Sequence, residues 1–249
     1  MREAFLGGCV VLLLAALAWA SGDPWKSKPY QQWDAKDVRK VLESSPWVKA
    51  VQINAPWKAA QASGAGADSD GATAPGSPIG RSTEGARPAP GGSSDLGSQG
   101  ATATFLVTWA SSRTVREALV RNAILSGRMK EEQAEPELAH PVTSYEIVIT
   151  GADMKPFQSV DEKILEDAAF LIDRKEKERI PAAGVQIQRS EDGAKIVSVV
   201  FSFPKRASDG TSTVPADEKN LDFSCIVTNV KIQASFDTSK MMDSQGRDL

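Results

Sequence analysis

The chain has 249 residues, with 29 Lys and Arg against 32 Asp and Glu and a formal net charge of −3. That near balance, with no basic stripe, speaks against a nucleic-acid partner. One histidine and two cysteines leave no clustered His/Cys metal motif and no framework of disulfides.

The N-terminus carries an address. Arg2 is followed by an uncharged apolar run from Ala4, and Ala18-Trp19-Ala20 closes it as a small-X-small cleavage site. This pattern predicts a secretory signal over 1–20 and a mature protein that begins near Ser21, in the periplasm or outside the cell. Two alternatives compete with it. Leu6-Gly7-Gly8-Cys9 resembles a lipobox, but Cys9 precedes the apolar stretch where a lipobox cysteine would end it. An uncleaved N-terminal helix that anchors the chain is the other, since Ala4 to Gly22 approaches the roughly 20 residues a bilayer requires. No later segment is apolar enough to span one, so no stable membrane insertion is expected after cleavage. Without the signal only Cys225 remains, and the fold must rest on a core.

Residues 21–57 form a Trp-rich segment. Within it, Asp34 and Asp37 mark a helix start, as a cap and as negative charge in the first turn. Val38, Val41 and Leu42 supply an apolar stripe, Pro46 ends the helix, and Trp47 to Ile53 reads as a strand. Residues 58–100 are dominated by Ala, Gly, Ser, Pro, Thr and Asp. That composition cannot offset its ordering entropy and predicts a disordered low-complexity insertion. Residues 101–240 are the expected main domain and 241–249 a C-terminal tail. Because 21–57 is too short for its own core, it is expected to pack on the main domain. The insertion would then interrupt a hairpin between Trp47–Ile53 and Thr102–Trp109.

In Thr102–Trp109, Ala103, Phe105, Val107 and Trp109 alternate with more polar residues, which predicts one buried face. A helix follows from Ser111 or Ser112 to about Arg128. Its inner stripe is Val115, Ala118, Leu119 and Asn122, with Arg113, Arg116 and Arg121 on or near the outer side. Glu131 to Pro141 is a polar connector, Ser144 to Thr150 a strand, and Val160 to Ala169 a short helix; Phe170-Leu171-Ile172 is read as extended. Taking Thr228-Asn229 as a two-residue loop sets Val227 against Val230, Cys225 against Ile232, Phe223 against Ala234 and Leu221 against Phe236, all on one apolar face. For the upstream hairpin, a three-residue loop with a left-handed Gly193 sets Ile187 against Val197 and Val185 against Val199. The expected fold class is α+β: a largely antiparallel sheet with two or three short helices packed on it.

Catalytic patterns are absent from the sequence. There is no Gly-X-Ser-X-Gly, no His-Glu-X-X-His and no phosphate loop. His140 sits in the polar connector, and Cys225 is predicted to be a buried, inert thiol. Glu162, Glu166, Asp167, Asp192, Asp209, Asp217 and Glu218 show no spacing that singles out a glycosidase pair. No catalytic, metal-binding or cofactor-binding residue is therefore assigned, and no cofactor is expected. The unusual feature is the tryptophan cluster: Trp25, Trp47 and Trp57 each follow a proline, and Trp33 lies between. Trp25, Trp33 and Trp57 are candidates for stacking on a sugar or a peptide. The competing reading is that these indoles tie the segment to the core, where Trp109 belongs in any case.

Phe105-Leu-Val-Thr-Trp-Ala-Ser-Ser-Arg-Thr-Val-Arg-Glu-Ala-Leu-Val-Arg121 resembles the strand-to-helix junction of an uncharacterised group of secreted acidobacterial proteins. Trp33-Asp34, Ser45-Pro46-Trp47, Phe201-Ser-Phe203-Pro and the stretch from Phe236 to Asp243 resemble the same group. That group has no assigned activity, so the resemblance implies an envelope or secreted location and a shared domain, and carries over no site residue. The expectation is an exported, non-enzymatic binding or scaffolding protein of the cell envelope, with an envelope protein or a glycan as partner. The alternatives are a carbohydrate- or peptide-binding module that uses exposed tryptophans, and a hydrolase with an acidic site.

Overall fold

The structure is a computed structural model that describes residues 22–58 and 101–249. The leader and nearly all of the 58–100 insertion lie outside the described residues.

Local chemistry sets the helices. Helix α2 (Ala35–Ser44) starts in a capping box: the Asp34 carboxylate accepts from the amides of Lys36 and Asp37, and Asp37 returns the bond to the Asp34 amide. Its Val38 and Val41 are buried. A short helix α1 (Pro24–Ser27) precedes it. Helix α3 (Arg113–Leu125) is capped by the Ser112 hydroxyl, α4 is Ala134–Leu138, and α5 is Glu162–Asp167, capped by Asp161.

Two antiparallel sheets carry the core. The first joins β1 (Val48–Asn54), β2 (Thr102–Trp109), β3 (Ser144–Gly151), β7 (Ile196–Pro204) and β6 (Gly184–Arg189), in that order. The second joins β5 (Arg179–Pro181), β4 (Ala169–Asp173), β8 (Asn220–Val227) and β9 (Val230–Asp237). A ribbon of β10 (Met242–Asp243) and β11 (Gly246–Arg247) stands apart. Strands β1 and β2 pair antiparallel, Val51 opposite Phe105, on either side of the insertion. Phe170-Leu171-Ile172 is extended, within β4.

The α+β class holds, with strand outweighing helix, but the single expected sheet is two. The apolar face of β2, β3 and β7 is too broad for a six-residue α5 to cover, and β4, β8 and β9 present a matching one. Phe201 and Phe203 on β7 meet Phe223 on β8, and Trp109 on β2 meets Phe236 on β9, all edge to face at 5.4–6.2 Å.

The β8–β9 hairpin has the expected register: Val227, Cys225, Phe223 and Leu221 face Val230, Ile232, Ala234 and Phe236. The β6–β7 hairpin differs by two residues, with Ile187 opposite Val199 and Val185 opposite Phe201. Gly193 is left-handed as expected (φ 69°). However, the loop is longer and closed by its own bonds. The Ser190 amide donates to the Lys195 carbonyl, Asp192 accepts from the Ala194 amide, and a bulge follows Gln188. A shift of two keeps each side chain on its face, which is why the pattern alone did not exclude it.

On α3 the buried side is Thr114, Val115, Ala118 and Val120; Leu119 is 49 % exposed. The helix is rotated relative to the apolar stripe because its arginines face neighbouring backbone. Arg121 donates to the Trp33 carbonyl, and Arg116 to the carbonyls of Glu137, Leu138 and His140. They are bonds between elements, where an outward, solvated row was expected.

Residues 241–249 fold back onto the body. Asp248 is buried, its amide donates to the Met241 carbonyl, and Arg247 spans the carbonyls of Pro215, Ala216 and Glu218. No helix among the described residues is long and apolar enough to cross a membrane.

Candidate functional site

A cleft of about 870 Å³ opens between the Trp-rich segment, the first turns of α3, α4 and the C-terminal ribbon. Its back wall is the N-terminus of α3, where the helix leaves amides unpaired. Here they are all taken. The Asp248 carboxylate accepts from the amides of Arg113 (2.7 Å) and Thr114 (2.9 Å), and Ser112 accepts from Val115. The helix dipole favours a carboxylate at this point.

Three of the four acidic groups that line the cleft are likewise tied. Asp243 pairs with the Arg113 guanidinium. Glu135 accepts from the Tyr30 hydroxyl at 3.0 Å, and burial together with that carboxylate pushes Tyr30 up to about 12. The fourth, Glu117 on α3, has no hydrogen-bond partner among the described residues. Burial raises its carboxyl to about 7; Arg113 opposes the shift, and Asp248, Asp243 and Glu135 add to it.

The cations are unevenly paired. Lys26 and Lys28 hold Asp23 and Asp37. Among the described residues, Arg116 bonds only to carbonyls. Lys205 reaches the cleft from the end of β7, its ammonium 5.2 Å from the centre of the Tyr145 ring, with no ion pair among the described residues. Burial pulls its pKa down, Asp248 and Glu146 oppose this, and the nearby Arg116 adds to it. Two residues that line the cleft carry buried polar groups without a hydrogen-bond partner among the described residues: the indole N–H of Trp25 and the hydroxyl of Ser111.

No protein-family model, curated protein or solved structure matches this chain. The site must therefore be read from its own chemistry.

The tryptophans divide. Trp25 and Trp33 line the cleft but are only 5 % and 1 % exposed. Trp25 stacks edge to face on Trp47, and the Trp33 indole donates to the Lys28 carbonyl. Neither ring has a face open for stacking. Trp57 is half-buried, donates to Asp153 at 2.7 Å, and borders a second groove with Gln52, Asn54 and Asn229.

The remaining chemistry-bearing residues lie elsewhere. His140 is exposed, with Nδ1 3.0 Å from the Glu137 carbonyl. Cys225 is fully buried and its thiol is pushed up to about 12. Glu162 accepts from the Ile187 amide, Glu166 and Asp167 pair with Lys163, Asp217 pairs with Lys175, and Asp192 and Asp209 hold turn amides. Buried Glu218 accepts from the Asn220 amide. Among the described residues no three His, Cys, Asp or Glu cluster as a metal site. The sequence marks Ser111 only as a possible helix cap, a role that Ser112 takes, and Glu117 and Lys205 carry no motif; the three meet only because α3, β7 and the C-terminal ribbon converge.

Proposed function

We propose that this chain is an exported, non-enzymatic binding protein and that its ligand occupies the cleft beside the N-terminus of α3. The leader-like N-terminus and the resemblance to secreted acidobacterial proteins support the location. The observation that carries the binding reading is the set of unsatisfied groups at the cleft. An unpaired buried donor costs roughly 1–3 kcal/mol, and two of them, Trp25 Nε1 and Ser111 Oγ, belong to residues that line it with Glu117, itself without a hydrogen-bond partner among the described residues. A ligand that completes those bonds recovers the cost.

The hydrolase alternative has less support. A glycosidase needs two free carboxyl groups, and three of the four here are held by Arg113, Tyr30 and the α3 amides. Ser111 has no base within hydrogen-bond reach, so it is not an activated nucleophile. A carbohydrate reading is favoured by one observation, the half-buried Trp57 beside the amide side chains of Gln52, Asn54 and Asn229.

The test is a thermal-shift screen of the purified protein against a library of polar metabolites and oligosaccharides, followed by assays of hits for turnover. Stabilisation without turnover, weakened by Ser111→Ala, supports the reading. Hydrolysis of a hit, lost in Glu117→Gln, overturns it.

A further inference from the structure

We propose that the cleft binds a small organic carboxylate with an apolar body, seated at Arg116 and Lys205 beside the carboxyl of Glu117. This rests on the reading of the cleft as a ligand site. The cations argue for the anion. Arg116 and Lys205 line the same cleft, and neither has a carboxylate bonded to it among the described residues. Holding two such charges together in a partly desolvated cleft is unfavourable without an anion between them. Two cleft-lining residues also carry donors without a hydrogen-bond partner among the described residues: the Ser111 hydroxyl and the Trp25 N–H, each in a residue at least nine-tenths buried. A ligand that presents oxygen acceptors satisfies all four.

The walls argue for the carbon skeleton. Leu138 and Val142, both half-buried, line the same cleft with Leu249 and the edge of Trp25. Inorganic anions would leave that surface uncovered, and an aliphatic or aromatic tail would cover it.

Glu117 takes up a proton when the ligand binds. The charged groups that face it are Arg113 on its own helix, Asp243 and Asp248 from the C-terminal ribbon, and Glu135 from α4, with the neutral Tyr30 from the N-terminal segment. Three carboxylates against one guanidinium already favour its protonated form. A fourth negative charge in the cleft favours it further, so binding draws a proton from solvent and the neutral carboxyl becomes one more donor. Affinity therefore falls as pH rises, by up to about tenfold per unit for one linked proton.

The experiment is calorimetric titration of the whole protein with hexanoate and benzoate, their neutral amides hexanamide and benzamide, inorganic phosphate and maltose. Each titration at pH 7 is run in two buffers of different ionisation enthalpy, so that proton uptake is read directly. The expected result is that the carboxylates bind at least tenfold more tightly than their amides and than phosphate, with net proton uptake. Glu117→Gln should bind them without that uptake, and Lys205→Met should weaken them at least tenfold. Binding of the amides or maltose as tightly as the carboxylates overturns the carboxylate class and leaves the cleft as a binding site. Carboxylate binding with the same net proton uptake, or with none, in both wild type and Glu117→Gln overturns the role of Glu117 alone. Binding of no probe, with intrinsic tryptophan fluorescence unchanged throughout, overturns both this inference and the reading beneath it.

Discussion

The indole N–H of Trp47 donates to the backbone carbonyl of Asp248 at 2.7 Å, across 201 positions of sequence and with both residues buried. The same Asp248 turns its carboxylate to the first amides of α3. One residue thus joins the Trp-rich segment, the central helix and the C-terminal ribbon. Asp248→Ala is expected to lower stability by about 1–3 kcal/mol through loss of a charge-assisted cap in a buried setting. Asp248→Asn, which keeps an acceptor, should lose less. Urea unfolding of the variants checks this.

The two sheets depend on Phe223, whose ring meets both Phe201 and Phe203 across the interface. It is fully buried. Phe223→Ala should cost about 3–5 kcal/mol by opening a cavity between the layers, and Phe223→Leu markedly less. Chemical denaturation measures both.

Gly151 ends β3 opposite Phe105, and a Cβ there would lie 2.8 Å from the Phe105 ring. Phe105 is itself pinned against Phe157, so it cannot step aside freely. Gly151→Ala is expected to cost about 1–3 kcal/mol by overpacking, and Phe105→Leu in the same chain should recover part of the loss. A double-mutant cycle on melting temperature tests the coupling.

Glu117 should make stability pH-dependent in a distinctive direction. Its carboxyl is raised from 4.5 to about 7 by burial first, with Asp248, Asp243 and Glu135 adding to it. Between those values the folded state holds more protons than the unfolded state. The contribution of Glu117 therefore falls as pH rises through that window, and is fully lost above it. The melting temperature of Glu117→Gln relative to wild type should rise over the same window. A constant difference between the two proteins would contradict the raised value.

Cys225 is fully buried and its thiol is pushed up to about 12, so little thiolate exists at neutral pH. A thiol-specific reagent should leave Cys225 of the folded protein unmodified over hours and label it promptly in guanidinium chloride. Rapid labelling of the native state would show that β8 opens locally.

Interactions close in sequence were readable before the fold was known. The Asp34–Asp37 box, the strands from Thr102 and Ser144, and the β8–β9 register follow from side chains within a few positions of one another, because capping and strand alternation are local in origin. Period two also fixed which face Ile187 takes, but not its partner, since a shift of two leaves the face unchanged. The pairing of β4 with β8, and with it the second sheet, rests on contacts such as Ala169 with Cys225, which no local pattern encodes. The arginines of α3 read as solvent-facing because spacing reports an apolar stripe and is silent about distant carbonyls. The cleft was the least legible part. Glu117, Ser111, Arg116 and Lys205 are unremarkable singly, and their chemistry arises only when tertiary packing removes water and leaves them without an ionic partner among the described residues.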